Sequence, residues 1–131
     1  INLTQSDGSY VGEKVLAKSI TFSSQVMFTT YTPVASASGA CSPSQGSARA
    51  YLMNIDDGTP VQDFNNSGSS SPGDLTRADR AMDLVRGGIP PEPSIIFHDN
   101  GPAVIIGTEK APDPSFVLTP KKTYWRIQNS Y

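Results

Sequence analysis

Residues 25–32, Gln-Val-Met-Phe-Thr-Thr-Tyr-Thr, most restrict what this chain can become. The run is rich in β-branched and aromatic side chains, which favour a pleated strand. Extended, it sends Val26 and Phe28 to one side and Met27 and Tyr31 to the other, so apolar groups occupy both faces. A sheet with one face in water alternates apolar and polar residues. This strand therefore needs cover on both sides. The run Ala103-Val104-Ile105-Ile106 makes the same demand near the other end of the chain.

The intervening sequence supplies strands and turns rather than long helices. Residues 13–22 read as a strand, Ser23 and Ser24 as a hairpin turn, and residues 25–32 as its partner. Residues 33–47 form a small-residue loop around Cys41, followed by a strand over 48–55. Asp56, Asp57 and Gly58 then mark a turn, and residues 60–64 read as a short returning edge strand. Residues 65–74 are Ser-, Gly- and Asn-rich and read as a mobile surface loop. Leu75, Ala78, Met82 and Val85 have the spacing of a short helix that Gly87 and Gly88 would stop. Pro90, Pro91 and Pro93 impose an extended approach to a strand over 94–98. Asp99, Asn100 and Gly101 turn it back into residues 103–108, and Asn-Gly is the favoured type I′ pair. After residues 112–120, a last strand is expected over 122–128, carrying Tyr124 and Trp125.

The strands fall into two similar groups, about 1–74 and about 75–131, within one unit. Four-stranded antiparallel blades stacked face to face, as in a β-propeller, account for strands that are apolar on both sides. A two-layer sandwich predicts stricter alternation. Two blades cannot close a ring of the usual 4 to 8, so a propeller reading requires further blades from the same protein.

Composition bounds the partners. The 131 residues suit one domain with a modest core, hiding roughly two thirds of the unfolded surface. The net charge of −2 is scattered, which supplies no basic face for nucleic acid. No apolar run approaches the about 20 residues of a membrane-spanning helix. The chain starts at Ile1 without a charged and apolar leader, so any export signal is expected upstream or already removed. Cys41 is the sole cysteine and reads as an inert loop thiol, unless its partner lies upstream in an oxidising compartment. Asn2 and Asn65 begin short glycosylation-type triplets that arise often by chance.

A search for chemistry finds little. His98 is the only histidine and stands beside Asp99 at a turn, where an exposed turn residue is a better reading than one member of a Ser-His-Asp triad. One His and one Cys are too few for zinc. Asp56, Asp57, Asp79, Asp83 and Glu92 are candidate carboxylates for glycoside hydrolysis, yet no neighbour distinguishes a pair. Asp56-Asp57-Gly58 lacks the alternation and acidic closure of a calcium loop and suits a β-turn. Phosphate-cradling glycine patterns are absent. The alternating charges Arg77, Asp79, Arg80, Asp83 and Arg86 read as a salt-bridged or solvated segment rather than a docking patch. Trp125 is a potential binding anchor, although a lone strand Trp more often packs a core or blade edge.

Several stretches together resemble a known family. Gly12-Glu13-Lys14-Val15-Leu16, then Val26-Met27-Phe28-Thr29-Thr30-Tyr31-Thr32-Pro33, Cys41-Ser42-Pro43, Ala50-Tyr51-Leu52-Met53-Asn54-Ile55, Gly88-Ile89-Pro90-Pro91-Glu92-Pro93 and Tyr124-Trp125-Arg126-Ile127 occur in this order. They are similar to the C-terminal β-propeller of the PilY-type type IV pilus tip-associated adhesins, and they span nearly the whole chain. Ser44-Gln45 departs from the family's Gly-rich sequence after the cysteine.

The resemblance implies an all-β, C-terminal part of a propeller. It would act without catalysis in type IV pilus (fimbrium) biogenesis, cell adhesion and twitching motility. Its place would be extracytoplasmic, secreted to the periplasm, cell surface or pilus tip. Partners would be the remaining blades and pilus or minor pilin proteins. Calcium belongs to some family members through a loop in an earlier blade, so no catalytic, cofactor or metal residue is assigned in this segment. The alternative expectation is a self-contained secreted β-sandwich or barrel that binds carbohydrate or protein. A hydrolase built on the scattered carboxylates and His98 is the least favoured.

Overall fold

The computed structural model describes residues 10–34, 44–69, 71–99 and 101–114. Within them the chain is all-β and antiparallel, with eight strand segments in two sheets. The first sheet contains β1 (Lys14–Val15), β2 (Ile20–Phe22), β3 (Gln25–Thr32), β4 (Ser47–Asn54) and β5 (Ala81–Asp83). β1 and β2 both pair with the same side of β3, giving four ranks in meander order. Residues 16–19 bulge out opposite Phe28 and Thr29 alone, which divides the expected 13–22 strand in two. The second sheet contains β6 (Pro93–His98), β7 (Gly101–Ile106) and β8 (Glu109–Lys110), paired in sequence order. Neither sheet closes on itself.

The expected two-faced strand is present. Register places Met27 opposite Leu52, and Ala50 between Thr29 and Met82, so these side chains share one face of the first sheet. They pack against Val104 and Ile106 of β7 and half-buried Ile95 of β6, with Ala111 and the fully buried loop residue Phe64 completing the core. Phe28, Tyr51 and Met53 form a second buried cluster on the opposite face, joined by Val26 and Ala81. Phe28 and Tyr51 stack with ring centroids 5.1 Å apart.

The sheets are also tied at their margins. Thr29 Oγ1 donates to the Pro91 carbonyl at 3.1 Å. Phe22 meets Phe97 at 5.5 Å in a tilted ring contact. The Glu109 carboxylate accepts the amides of Val85 and Arg86 at 2.9 and 2.8 Å. Gly46 admits the chain to β4: its φ is +69°, and a Cβ there would meet the Thr32 carbonyl at 2.6 Å.

Several sequence expectations are corrected. Residues 60–64 form no strand; β5 fills the edge beside β4 instead, and it lies beyond residue 74, the expected division between strand groups. The helix expected from Leu75, Ala78, Met82 and Val85 reduces to one 3-10 turn over Arg77–Arg80 followed by that strand. Pairing with β4 buries part of Met82 and ends the helical path after a single turn, while Val85 stays in solvent. Gly101 opens β7 opposite His98, so it is a strand residue rather than the second centre of the turn. Residues 103–108 do not continue as one strand: Gly107, with φ +61°, turns the chain into β8, as the first central position of a type II′ turn requires. Cys41, Asn100 and the expected 122–128 strand lie outside the described residues.

Candidate functional site

The far face of the first sheet carries a buried carboxylate. Glu13, just before β1, is buried and accepts from Thr30 Oγ1 at 2.6 Å and from Tyr51 Oη at 2.9 Å. Thr30 lies on β3 and Tyr51 on β4, both projecting from the face that Phe28 and Met53 share. Burial, then the neighbouring Glu13 carboxylate, push the Tyr51 phenol up to about 12, against the opposing pull of the Arg49 guanidinium. Arg49 itself pairs with Asp83 across the β4–β5 ladder at 2.6 Å, a bond that raises its pKa against the opposing effect of burial. The arrangement holds a carboxylate in the protein interior with two hydroxyl donors, which offsets part of the cost of desolvating it. Sequence reasoning placed Glu13 in the first strand without assigning it a partner. The signal available was a carboxylate entering a strand beside a hydroxyl-rich neighbour, which is too common to be diagnostic.

A second polar centre organises the loop between β4 and β5. The two oxygens of Asp63 accept the amides of Ser67, Gly68 and Ser69 at 2.8, 2.8 and 3.1 Å. Asp79, almost fully buried, accepts the Thr76 amide at 2.6 Å and the hydroxyls of Thr76, Ser67 and Ser69. The Thr76 amide and the Ser67 hydroxyl hold the Asp79 carboxyl below the ordinary carboxylate range. Burial pushes the Asp63 carboxyl up, and the amide bonds from Ser67 and Gly68 outweigh it, leaving a net downward shift. The loop expected to be mobile is thus closed by two carboxylates. Oxygen-bearing residues at 63, 65, 67 and 69 were its sequence signal.

The other singled-out residues are placed separately. Asp57 accepts the amide and hydroxyl of Thr59, and Asn54 caps the Asp56 amide, so this segment is a turn. Arg80 donates to the carbonyls of Gly58 and Arg77, Asp83 pairs with Arg49, and Asp79 serves the loop, so three of the five alternating charges take separate structural tasks. His98 is exposed at the end of β6, and Glu92 is exposed before its start. Among the described residues no group of three or more His, Cys, Asp or Glu side chains gathers as a metal site would. Among them too, no helix is long and apolar enough to cross a membrane.

Two apolar features stand out among the described residues. The outer face of the second sheet presents Ile96, 48% exposed, beside Ala103 and Ile105. Between the sheets, Ile20, Phe22, Met27, Leu52, Ile95 and Val104 wall a small apolar cleft of about 10 Å³, room for about one water molecule, beside the buried Gln25 side-chain carbonyl. No protein-family model, curated protein or solved structure matched this chain.

Proposed function

We propose that this chain is a non-catalytic binding and structural segment of an extracytoplasmic β-propeller. On this reading it comprises about two terminal blades and serves type IV pilus biogenesis, tip-associated adhesion and twitching motility. The observation that carries the reading is the first sheet: four antiparallel ranks in meander order with apolar side chains buried on both faces. A blade stacked between neighbours needs this pattern. The ordered sequence resemblance to PilY-type adhesins supplies the biological setting. The exposed Ile96 face of the second sheet is the surface offered to a further blade.

The test is genetic. In-frame removal of residues 10–114 from the gene that carries them is expected to abolish surface pili and shrink twitching zones. Unchanged piliation and motility, with the shortened product still exported, would overturn the proposal.

A second reading is favoured by a specific observation as well. Met27, Ala50 and Leu52 meet Val104 and Ile106 face to face, which is how a small two-sheet sandwich makes its core. As a self-contained domain binding carbohydrate or protein, the isolated chain would be a monodisperse monomer with one cooperative melting transition. Terminal blades would instead associate with increasing concentration, because their outer faces lack neighbours.

A further inference from the structure

We propose that the connector between the two sheets, residues 84–90, is a processing site at which an arginine-specific endoprotease cuts the Arg86–Gly87 bond. The connector runs from β5 towards β6 without regular structure. Val85 is 93% exposed, and Arg86 and Gly87 are exposed beside it. Among the described residues no carboxylate pairs with the Arg86 guanidinium. A trypsin-like protease reads a substrate of this chemistry. Its carboxylate-floored pocket takes a free guanidinium, and its cleft receives the flanking backbone as an added extended strand. Val85 places a small apolar side chain before the cut, and Gly87 places none after it. Water adds to the Arg86 carbonyl carbon and the bond to the Gly87 nitrogen breaks, leaving a carboxylate on Arg86 and an ammonium on Gly87.

The other described arginines do not offer this geometry. Arg49 lies within the β4 ladder, opposite Thr30 and Asp83, and its side chain is paired with Asp83. Arg77 and Arg80 belong to the 3-10 turn, which is not extended, and Arg80 is bound to the carbonyls of Gly58 and Arg77.

Exposure alone does not make a site, because a protease needs several consecutive residues free to extend. Three backbone bonds restrain the connector. The Leu84 amide donates to the Ala48 carbonyl at 2.9 Å, and the amides of Val85 and Arg86 donate to the Glu109 carboxylate at 2.9 and 2.8 Å. Opening this short stretch leaves the shared core of Met27, Leu52, Val104 and Ile106 in place, so the connector can open locally while the sheets stay joined. Glu109 is then the latch that sets how often Arg86 is presented. These contacts are the same in a propeller segment and in a free-standing sandwich.

The test is limited proteolysis of the full chain by a purified arginine-specific endoprotease, in an Arg126→Gln background so that Arg49, Arg77 and Arg80 are the competitors. Intact mass should show 1–86 and 87–131 as the first products, eluting together in gel filtration without denaturant. The cleavage rate should stay flat in urea below the unfolding transition, because local opening exposes little surface. Glu109→Ala should raise that flat rate by about tenfold, since cleavage follows the population of the open connector. A first cut at Arg49, Arg77 or Arg80 overturns the proposal. So does a rate that climbs with urea in step with global unfolding, because the bond is then cut only in the unfolded chain. Fragments that part without denaturant overturn it as well, and an unchanged rate in Glu109→Ala removes Glu109 as the latch.

Discussion

At the residue scale, Tyr51 makes the sharpest claim. Its phenol is pushed up to about 12, first by burial and then by the Glu13 carboxylate that accepts its hydrogen bond. An unfolded Tyr ionises near 10, so the native state resists ionisation that the unfolded state accepts. A group whose native pKa is raised contributes stability that is whole below about pH 10 and is lost as pH climbs towards 12. Urea midpoints of the wild-type chain should therefore fall over that interval. Tyr51→Phe should be less stable at neutral pH, since Glu13 loses a donor, and should show a shallower alkaline decline. An alkaline limb unaltered by the substitution would remove Tyr51 as its source. None of this was readable from the residues alone. Tyr51 looked like one strand aromatic among several, and only the β3–β4 register brings it to the same carboxylate as Thr30.

At the element scale, the β2–β3 hairpin and the β4–β5 loop show what local sequence can and cannot specify. Ser23 and Ser24 occupy φ of 49° and 59°, the left-handed values of a type I′ turn, without the Asn-Gly pair that tolerates them best. Replacing them by Asn and Gly should stabilise the chain by about 1 kcal/mol, seen as a raised urea midpoint with unchanged slope. A lower midpoint would show that the serines make contacts worth more than the strain. The hairpin itself was legible because its strands carry β-branched residues around a two-residue turn. The β5 edge was not. Helical spacing of Leu75, Ala78, Met82 and Val85 competes with the free edge of β4, and pairing of Ala81 and Met82 with Tyr51 and Ala50 wins. The contacts of the loop before β5 were illegible for a related reason: they are hydrogen bonds to Asp63 and Asp79 rather than apolar area. Asp79 is held below its ordinary carboxylate range, so its contribution is present above about pH 4 and is lost as acid protonates it in the native state. Asp79→Asn should cost stability at pH 7 and progressively less on acidification. A penalty independent of pH would mean that packing, not charge, holds the loop.

At the scale of the whole molecule, the question is whether two separate meanders behave as one body. The face-to-face core answers in part, since Phe64 from a loop, Met27 and Leu52 from one sheet and Val104 and Ile106 from the other are buried together. Sequence alone supplied the need for cover on both faces of β3; it did not supply the identity of that cover, because partner choice depends on register and on long loops. Glu109 offers a direct test. It begins the last strand of the second sheet, yet its carboxylate is spent on the amides of Val85 and Arg86, immediately after the last strand of the first. Amide bonds to a charged acceptor are worth about 1.5–3 kcal/mol when well sheltered, and less here because Val85 and Arg86 are exposed. Glu109→Ala should therefore lower unfolding stability by about 1–2 kcal/mol. If the sheets share one core, strand circular dichroism and native-state hydrogen exchange should both report a single transition at a lower midpoint, with the loss spread over β3, β4 and β7 together. Loss confined to β6–β8, or two resolved transitions, would show the second sheet opening alone. The two sheets would then be neighbours in contact rather than halves of one cooperative core.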